Sequence, residues 1–370
     1  MEDIQATFEY SLPHGGKEKM AERIALFNHK GGVSKTTTTF NLGWMLASKG
    51  KRVVLVDTDP QCNLTGLVMG YSGPDELVRF YETEKERNLK SGLAPAFESR
   101  PSPIEAVNCV PVEGREGLFL LPGHIGLSEY EVTLGIAQEL SAAIQTLQNL
   151  PGAISYLLEV TAELFDADYT LIDMNPSLSS FNQNLLMTSH FFILPTNPDY
   201  FSVMAIDSLA SVFPNWSAWA SRAHSLPVLR NASYPFPRIT PRFLGTIVQN
   251  YRPRGGAPTK SFQRWIDEID KKVSERLAPV LAEIHMMLPS KAYEEQGLGD
   301  GFCLSRIPDF NALIARSQEA QAPVYALTPE QIGQVGVVLE RTMKSRDMFA
   351  KIFSELADKI IGLTNYASGD

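Results

Sequence analysis

The chain alternates between short, continuous apolar runs and longer stretches with helical spacing. The first run is residues 24–27 (IALF), and a glycine-rich loop follows it directly. Residues 36–48 then carry Phe40, Leu42, Met45 and Leu46 at helical spacing, and Gly50 stands where a glycine commonly ends a helix. Residues 52–57 (RVVLVD) are rich in β-branched side chains and read as a strand. Strand, loop, helix and strand within roughly 35 residues make a βαβ unit. Residues 169–173, 191–195 and 244–248 are further buried-strand candidates, and residues 117–122 add a fourth run outside that unit. Continuous apolar strands separated by helices indicate a sheet covered on both faces. The expected fold is therefore α/β and doubly wound, with a mostly parallel sheet and helices on both sides.

Length alone would allow roughly two domains of ~150 residues. The strand pattern instead runs as one domain over 23–363, with a polar, flexible N-terminal arm at 1–22 and a tail at 364–370. Segments near 68–116 and 208–243 fit the sheet pattern poorly and read as insertions. No internal repeat is visible, and the C-terminal third reads as mostly helical. Cys62, Cys109 and Cys303 form no C-x-x-C pair, which removes disulfide-framework, zinc and iron–sulfur readings and suits a cytoplasmic protein. No apolar run approaches the ~20 residues needed to span a bilayer. The first 20 residues hold no apolar segment of the secretory kind.

The candidate chemistry begins at Lys30-Gly31-Gly32-Val33-Ser34-Lys35-Thr36-Thr37, between a strand and a helix. That is the setting a phosphate-binding loop requires. Small residues let backbone N–H groups wrap phosphates, and a helix N-terminus adds partial positive charge. Lys35 supplies a point charge to the β/γ-phosphates, and the Thr36 hydroxyl is placed to ligate Mg²⁺. Ser34 occupies the position where the strict G-x-x-x-x-G-K-[ST] pattern has glycine. Asp57 closes the second strand with Asp59 two residues on, and Asp173 closes another. In an open parallel sheet the carboxyl ends of the strands meet at one crevice, so these aspartates are expected to face the same phosphates.

These residues resemble the ParA/MinD family of deviant Walker A P-loop ATPases, and the ParA branch in particular. Lys30 to Thr37 is similar to the family's Walker A loop, and Asp57 to Thr65 (DTDPQCNLT) to its switch I. Tyr169 to Ser179 (YTLIDMNPSLS), with residues 195–201 (PTNPDYF), resembles switch II and the strand after it. Ile307-Pro308, Glu319-Ala320 and Pro323-Val324 resemble the family's late loop. The resemblance implies an Mg²⁺-dependent ATP hydrolase that forms an ATP sandwich dimer. It gives Lys30 the role of reaching the partner copy's phosphates, with Gly31 permitting the close approach. It gives Asp59 the attacking water and Asp173 the Mg²⁺ shell. Catalytic candidates are thus Lys30, Lys35 and Asp59, and metal candidates are Thr36, Asp59 and Asp173. The nucleotide would be held by Gly31, Gly32, Val33, Ser34, Lys35, Thr36 and Thr37, with Asn250 and Pro308 as adenine-side candidates. Phosphoryl transfer needs positioning and charge neutralisation above all, which suits this set. The resemblance also implies a partner protein that stimulates hydrolysis.

Charge sharpens the picture of partners. The 33 basic and 42 acidic residues give −9 and a pI near 5.3, which argues against a dedicated nucleic-acid binder. The distribution is uneven, however. The 59 positions between Asp207 and Asp267 hold eight basic residues and no acid; removing those eight from the total leaves 25 basic against 42 acidic, or −17. Trp216, Trp219, Tyr234, Phe236, Phe243, Tyr251, Phe262 and Trp265 are interleaved there. Arginine with aromatics is a nucleic-acid pattern, and ParA-type proteins bind DNA nonspecifically as ATP dimers. The nucleic-acid candidates are Arg252, Arg254, Lys260 and Arg264, with Lys344 and Arg346 on the C-terminal helix. A protein interface and pairing with the acidic remainder are the other readings. A ParA-like switch serving a protein cargo or defence system, and a MinD-like membrane-cycling ATPase, are the alternatives for the whole chain. For the latter, Met348, Phe349, Ile352, Phe353, Leu356, Ile360 and Ile361 have helical spacing, but Asp347, Glu355 and Asp358 favour a core-packing helix over a membrane one.

Overall fold

Eight strands form one twisted sheet in a computed structural model that describes residues 20–70, 73–140, 144–254 and 257–369. Residues 1–19, most of the expected arm, lie outside the described residues. The first half runs β1 (Glu22–Leu26), α1 (Lys35–Ser48), β2 (Val53–Asp57), α2 (Asn63–Met69), α3 (Pro74–Thr83), α4 (Leu89–Phe97), β3 (Val110–Pro111), β4 (Leu118–Leu121), α5 (Ser128–Leu140), α6 (Leu150–Leu164) and β5 (Tyr169–Asp173). It continues with α7 (Ser180–Met187), β6 (Phe191–Thr196), α8 (Tyr200–Ser225), α9 (Pro227–Arg230), β7 (Arg242–Tyr251), and a small hairpin of β8 (Pro253–Arg254) and β9 (Ala257–Pro258). Then come α10 (Lys260–Lys272), α11 (Ala278–Glu283), α12 (Ser290–Glu295), β10 (Cys303–Pro308), α13 (Leu313–Ala320), α14 (Pro329–Ile332) and α15 (Gly336–Ser368).

The sheet order is β10-β7-β6-β1-β5-β2-β4-β3, parallel throughout except for the short edge strand β3. Side chains alternate across each strand, so successive residues enter opposite cores. Ile24, Leu26, Val53, Leu55, Leu171 and Ile193 meet α1, α13 and α15 on one face. Ala25, Phe27, Val54, Val56, Ile172 and Phe192 meet α5, α6, α7, α8 and α10 on the other. Helix α1 lies flat on the sheet because position 43 is glycine: a Cβ there would sit 2.5 Å from Leu55 Cδ2.

Two expectations from composition change once the chain is folded. The aromatic residues of the basic stretch are mostly core. Trp216, Trp219, Tyr234, Phe236, Phe243 and Tyr251 are all buried, so they are not stacking platforms for bases. Trp216 packs on Phe27 (centroids 5.6 Å apart) and Phe213 (6.1 Å) beneath the sheet. The two tryptophans lie on the apolar face of α8, Tyr234 and Phe236 follow α9, and Phe243 and Tyr251 belong to the central strand β7. The basic residues of that stretch are also split. Arg222 is at the far end of α8 and Arg230 and Arg238 follow it, whereas Arg252, Lys260 and Arg264 follow β7. The ten residues of β7 separate the two groups by ~30 Å at ~3.3 Å each. The apolar stripe of α15 is core as well: Phe349, Phe353, Leu356, Ile360 and Leu363 are buried.

Trp216→Ala should therefore act as a core deletion. Removing a buried aromatic costs ~3–5 kcal/mol, so the urea midpoint should fall sharply with little change in slope. A midpoint within error of the parent would return Trp216 to the surface.

Candidate phosphate-binding site

The loop from β1 to α1 is tied to neighbouring strands by side chains far away in sequence. Asn28 is fully buried; its amide donates to the Pro195 carbonyl (2.8 Å), and its carbonyl oxygen accepts from the Lys30 N–H (2.9 Å). Asn197 donates to the Gly32 carbonyl (2.9 Å), and Gln249 to the Val33 carbonyl (3.1 Å). Ser34 adopts the left-handed region at φ 55°, which costs a non-glycine residue about 1 kcal/mol. Its hydroxyl oxygen accepts a hydrogen bond from Asn250 (3.0 Å), whose amide also reaches Asn197 Oδ1 (3.0 Å). Asn250 itself has φ 59°. Strain thus sits at the loop and is held by contacts from β6 and β7, the pattern expected of a functional turn. Asn197 and Gln249 were not candidates from sequence, because no local signal connects them to a loop 165 and 216 residues away.

Helix α1 starts with no side-chain cap and no acidic residue in its first turn. The N–H groups of its first turn have no intrahelical partner, and an uncapped helix N-terminus is a ready anion site. Gly31 has open space: the nearest atom to a Cβ built there is 3.9 Å away, on Pro176. Lys35 is buried and donates to the carbonyls of Asn28 (3.0 Å) and Lys30 (3.4 Å). Burial pulls its pKa down, opposed by the charges of Asp173 and Asp59.

The aspartates stand at adjacent strand ends. Asp57 of β2 and Asp173 of β5 are register partners, and both are fully buried. Asp57 accepts from the Thr65 N–H (2.8 Å) and hydroxyl (2.7 Å) and from the Asp59 N–H (3.2 Å). Burial still raises its pKa to about 6. Asp173 Oδ2 accepts from the Thr36 hydroxyl (2.6 Å), and its Oδ1 is buried with no partner. Burial first, and then the Asp57 charge, pushes Asp173 up to about 8. Asp59 is half-buried, and its carboxylate accepts from the Gln61 N–H (2.9 Å).

The donor set fits the two groups the resemblance implies. An uncapped helix start and a buried lysine suit a polyphosphate. An orphaned, buried carboxylate oxygen beside a threonine hydroxyl suits a hard cation that takes oxygen ligands.

Lys30, the other catalytic candidate, is ion-paired with Asp199 and donates to Ser202 Oγ (3.1 Å). Asp199 also caps α8 through the Ser202 N–H (2.8 Å). Lys30 is thus docked on its own chain, at the rim of the crevice. Pro308 lies at the carboxyl end of β10, which pairs with β7, so it shares that rim with Asn250. Of the nucleic-acid candidates, Arg252, Lys260, Arg264 and Lys344 are exposed. The Arg264 guanidinium lies over the Trp265 ring at 5.6 Å. Arg346 is held by Asp347 (2.8 Å) and the Leu327 carbonyl (3.1 Å). Arg254 is in β8, and its side chain lies outside the described set.

A phosphate loop opening a helix beside two strand-end aspartates defines a P-loop nucleotide-binding protein. A family profile described as an AAA domain matches residues 21–218, more than half the chain. The chain belongs to this family, within its ParA/MinD-type P-loop ATPases. The chromosome partitioning protein ParA of Caulobacter vibrioides is 31% identical over 194 residues, which cover 50% of this chain and 60% of that protein. Protein DIP2308 from Corynebacterium diphtheriae superposes with a TM-score of 0.56 at 25% identity, covering 81% of this chain and 97% of that one. The ParA of pNOB8, solved bound to nonspecific DNA, shares the fold at a TM-score of 0.51 and 19% identity, over 94% and 99% of the two chains.

Asp173→Asn tests the charge balance of the site. It removes a buried charge beside Asp57 and can keep the bond from Thr36. At pH 8 the nucleotide-free variant should unfold at a higher temperature than the parent, and it should lose the extra stabilisation that magnesium adds to ATP. An unchanged magnesium effect would remove Asp173 from the cation site.

Proposed function

We propose that the chain is a magnesium-dependent ATP hydrolase of the ParA kind, acting in DNA partition or segregation. It binds ATP along residues 31–37, pairs with a second copy and then holds DNA without sequence preference. It hydrolyses ATP slowly until a partner protein stimulates it. The observation that carries the reading is the meeting of Lys35, Thr36, Asp59 and Asp173 around the uncapped start of α1. The partition role named for the Caulobacter relative supports it. Three exposed basic side chains beyond β7 support the DNA surface.

The chemistry follows from the side chains. The backbone N–H groups of the loop and first turn receive phosphate oxygens. Lys35 exchanges its two loop carbonyls for phosphate charge. Thr36, Asp59 and Asp173 would hold magnesium, which when bound neutralises phosphate charge. Asp59, half-buried at the crevice, orients the attacking water. Lys30 leaves Asp199 to meet the second copy's phosphates, so turnover needs two chains. Asn250 and Pro308 form the rim on the adenine side. The setting is cytoplasmic, on the DNA itself. A ParA-like switch for a protein cargo is the second reading, favoured by the loss of the aromatic rings from the surface. The membrane-cycling alternative is not favoured, since α15 has its apolar stripe in the core. No helix among the described residues is long and apolar enough to cross a membrane.

DNA co-sedimentation over a salt series tests the reading. The parent should pellet with DNA in ATP and not in ADP or without nucleotide. Lys35→Ala should fail in every state. Asp59→Ala should keep ATP-dependent binding while phosphate release stops. Reversing Arg252 and Arg254 to glutamate should weaken binding and flatten the salt slope. Binding in no state would favour the protein-cargo reading, and phosphate release by Asp59→Ala would remove the role given to that carboxylate.

A further inference from the structure

Helix α5 is apolar on two opposite faces. Tyr130, Leu134 and Ala137 are buried against the body. Val132, Ile136 and Leu140, spaced i, i+4 and i+8, stand 67%, 48% and 44% exposed. Ile144, beyond the helix end, donates its N–H to the Leu140 carbonyl (2.9 Å) and is 41% exposed. From Val132 to Leu140 the row spans ~12 Å at 1.5 Å per residue. Single exposed apolar side chains are ordinary, but a run along one helix face marks a contact surface.

The rim of the row is acidic. Helix α5 carries Glu129, Glu131 and Glu139 and no basic residue. Glu129 and Glu139 are exposed on the same side as the row, and Glu129 meets one base, Lys90 (2.7 Å). Carboxylates beside an apolar stripe repel nucleic acid and select a partner with the opposite rim.

On another side, the same helix is tied to the site. The Ser180 hydroxyl donates to the Glu131 carbonyl (2.8 Å), and Gln138 donates to the Ser180 carbonyl (2.9 Å). Ser180 opens α7, where Asn182 donates to the carbonyls of Asn175 (2.9 Å) and Ser177 (2.8 Å). Those two residues form the loop that leaves Asp173. Leu178 in the same loop is 42% exposed.

We propose that the outer face of α5 is the docking site for an amphipathic helix of another protein, with aliphatic residues on one side and lysine or arginine along its edges. Helix-on-helix docking of this kind places i, i+3, i+4 and i+7 anchors along the stripe. Its coupling to the loop after Asp173 rests on the ATPase reading above; the surface itself rests on α5 alone.

The test selects displayed 16-residue random peptides on the full chain with ATP, then measures affinity by fluorescence anisotropy. Selected peptides should be basic amphipathic helices. Ile136→Glu should weaken their binding at least tenfold, and Val337→Glu, at an exposed valine on α15, should leave it unchanged. Enrichment of acidic or non-helical peptides, indifference to Ile136→Glu, or no enrichment would overturn the proposal. Phosphate release measured without peptide reports separately on the ATPase reading, so the two can fail independently.

Discussion

Asp57 and Asp173 are register partners at the ends of adjacent parallel strands, both fully buried and both carrying carboxyl groups. Two buried like charges oppose each other and each loses its hydration, so the pair resists ionisation. The raised pKa values express that cost. What keeps the arrangement in place is local: Thr65 on one carboxylate, Thr36 on the other, and the Lys35 charge nearby. A cation beside the orphaned Asp173 oxygen reverses the balance, because it turns a penalty into an attraction. The rest of the fold serves to hold these groups in register.

The sheet supplies the register, and its flanking strands supply the loop. Strand β1 lies between β5 and β6, so the loop after it opens beside Asp173 on one side and the residues after β6 on the other. Asn197, Gln249 and Asn250 then fasten it from the β6 and β7 side, and Asn28 of the loop donates to the Pro195 carbonyl of β6. This fastening lets serine occupy a left-handed position that glycine would take without cost. The Lys30–Asp199 pair belongs to the same region, and places a docked charge at the rim of the crevice.

Much of this was legible in the sequence because its signals are local. Continuous apolar strands, the loop between strand and helix, and aspartates at strand ends all follow from short-range pattern, and they place Lys35, Thr36, Asp57 and Asp173 together. The signals that misled were compositional. Arginine interleaved with tryptophan and tyrosine over residues 208–266 describes both a nucleic-acid surface and a run of core elements; composition does not say which, and here most of the rings are buried from α8, β7 and the segment between them. Contacts across more than 150 residues, such as Asn250 to Ser34 and Lys30 to Asp199, leave no trace in one chain's pattern. The outward row on α5 was hidden for another reason. Its helix is apolar on both sides, so hydrophobic periodicity finds a helix without saying which face is buried.

The proposed function makes this crevice half of a two-chain site, with Lys30 supplied across the interface. Single-turnover phosphate release as a function of protein concentration tests it most directly, at saturating ATP and magnesium. The account predicts that the rate per chain rises with concentration to a plateau, and that Lys30→Ala abolishes the rise. A rate per chain independent of concentration, from monomer through dimer, would contradict it.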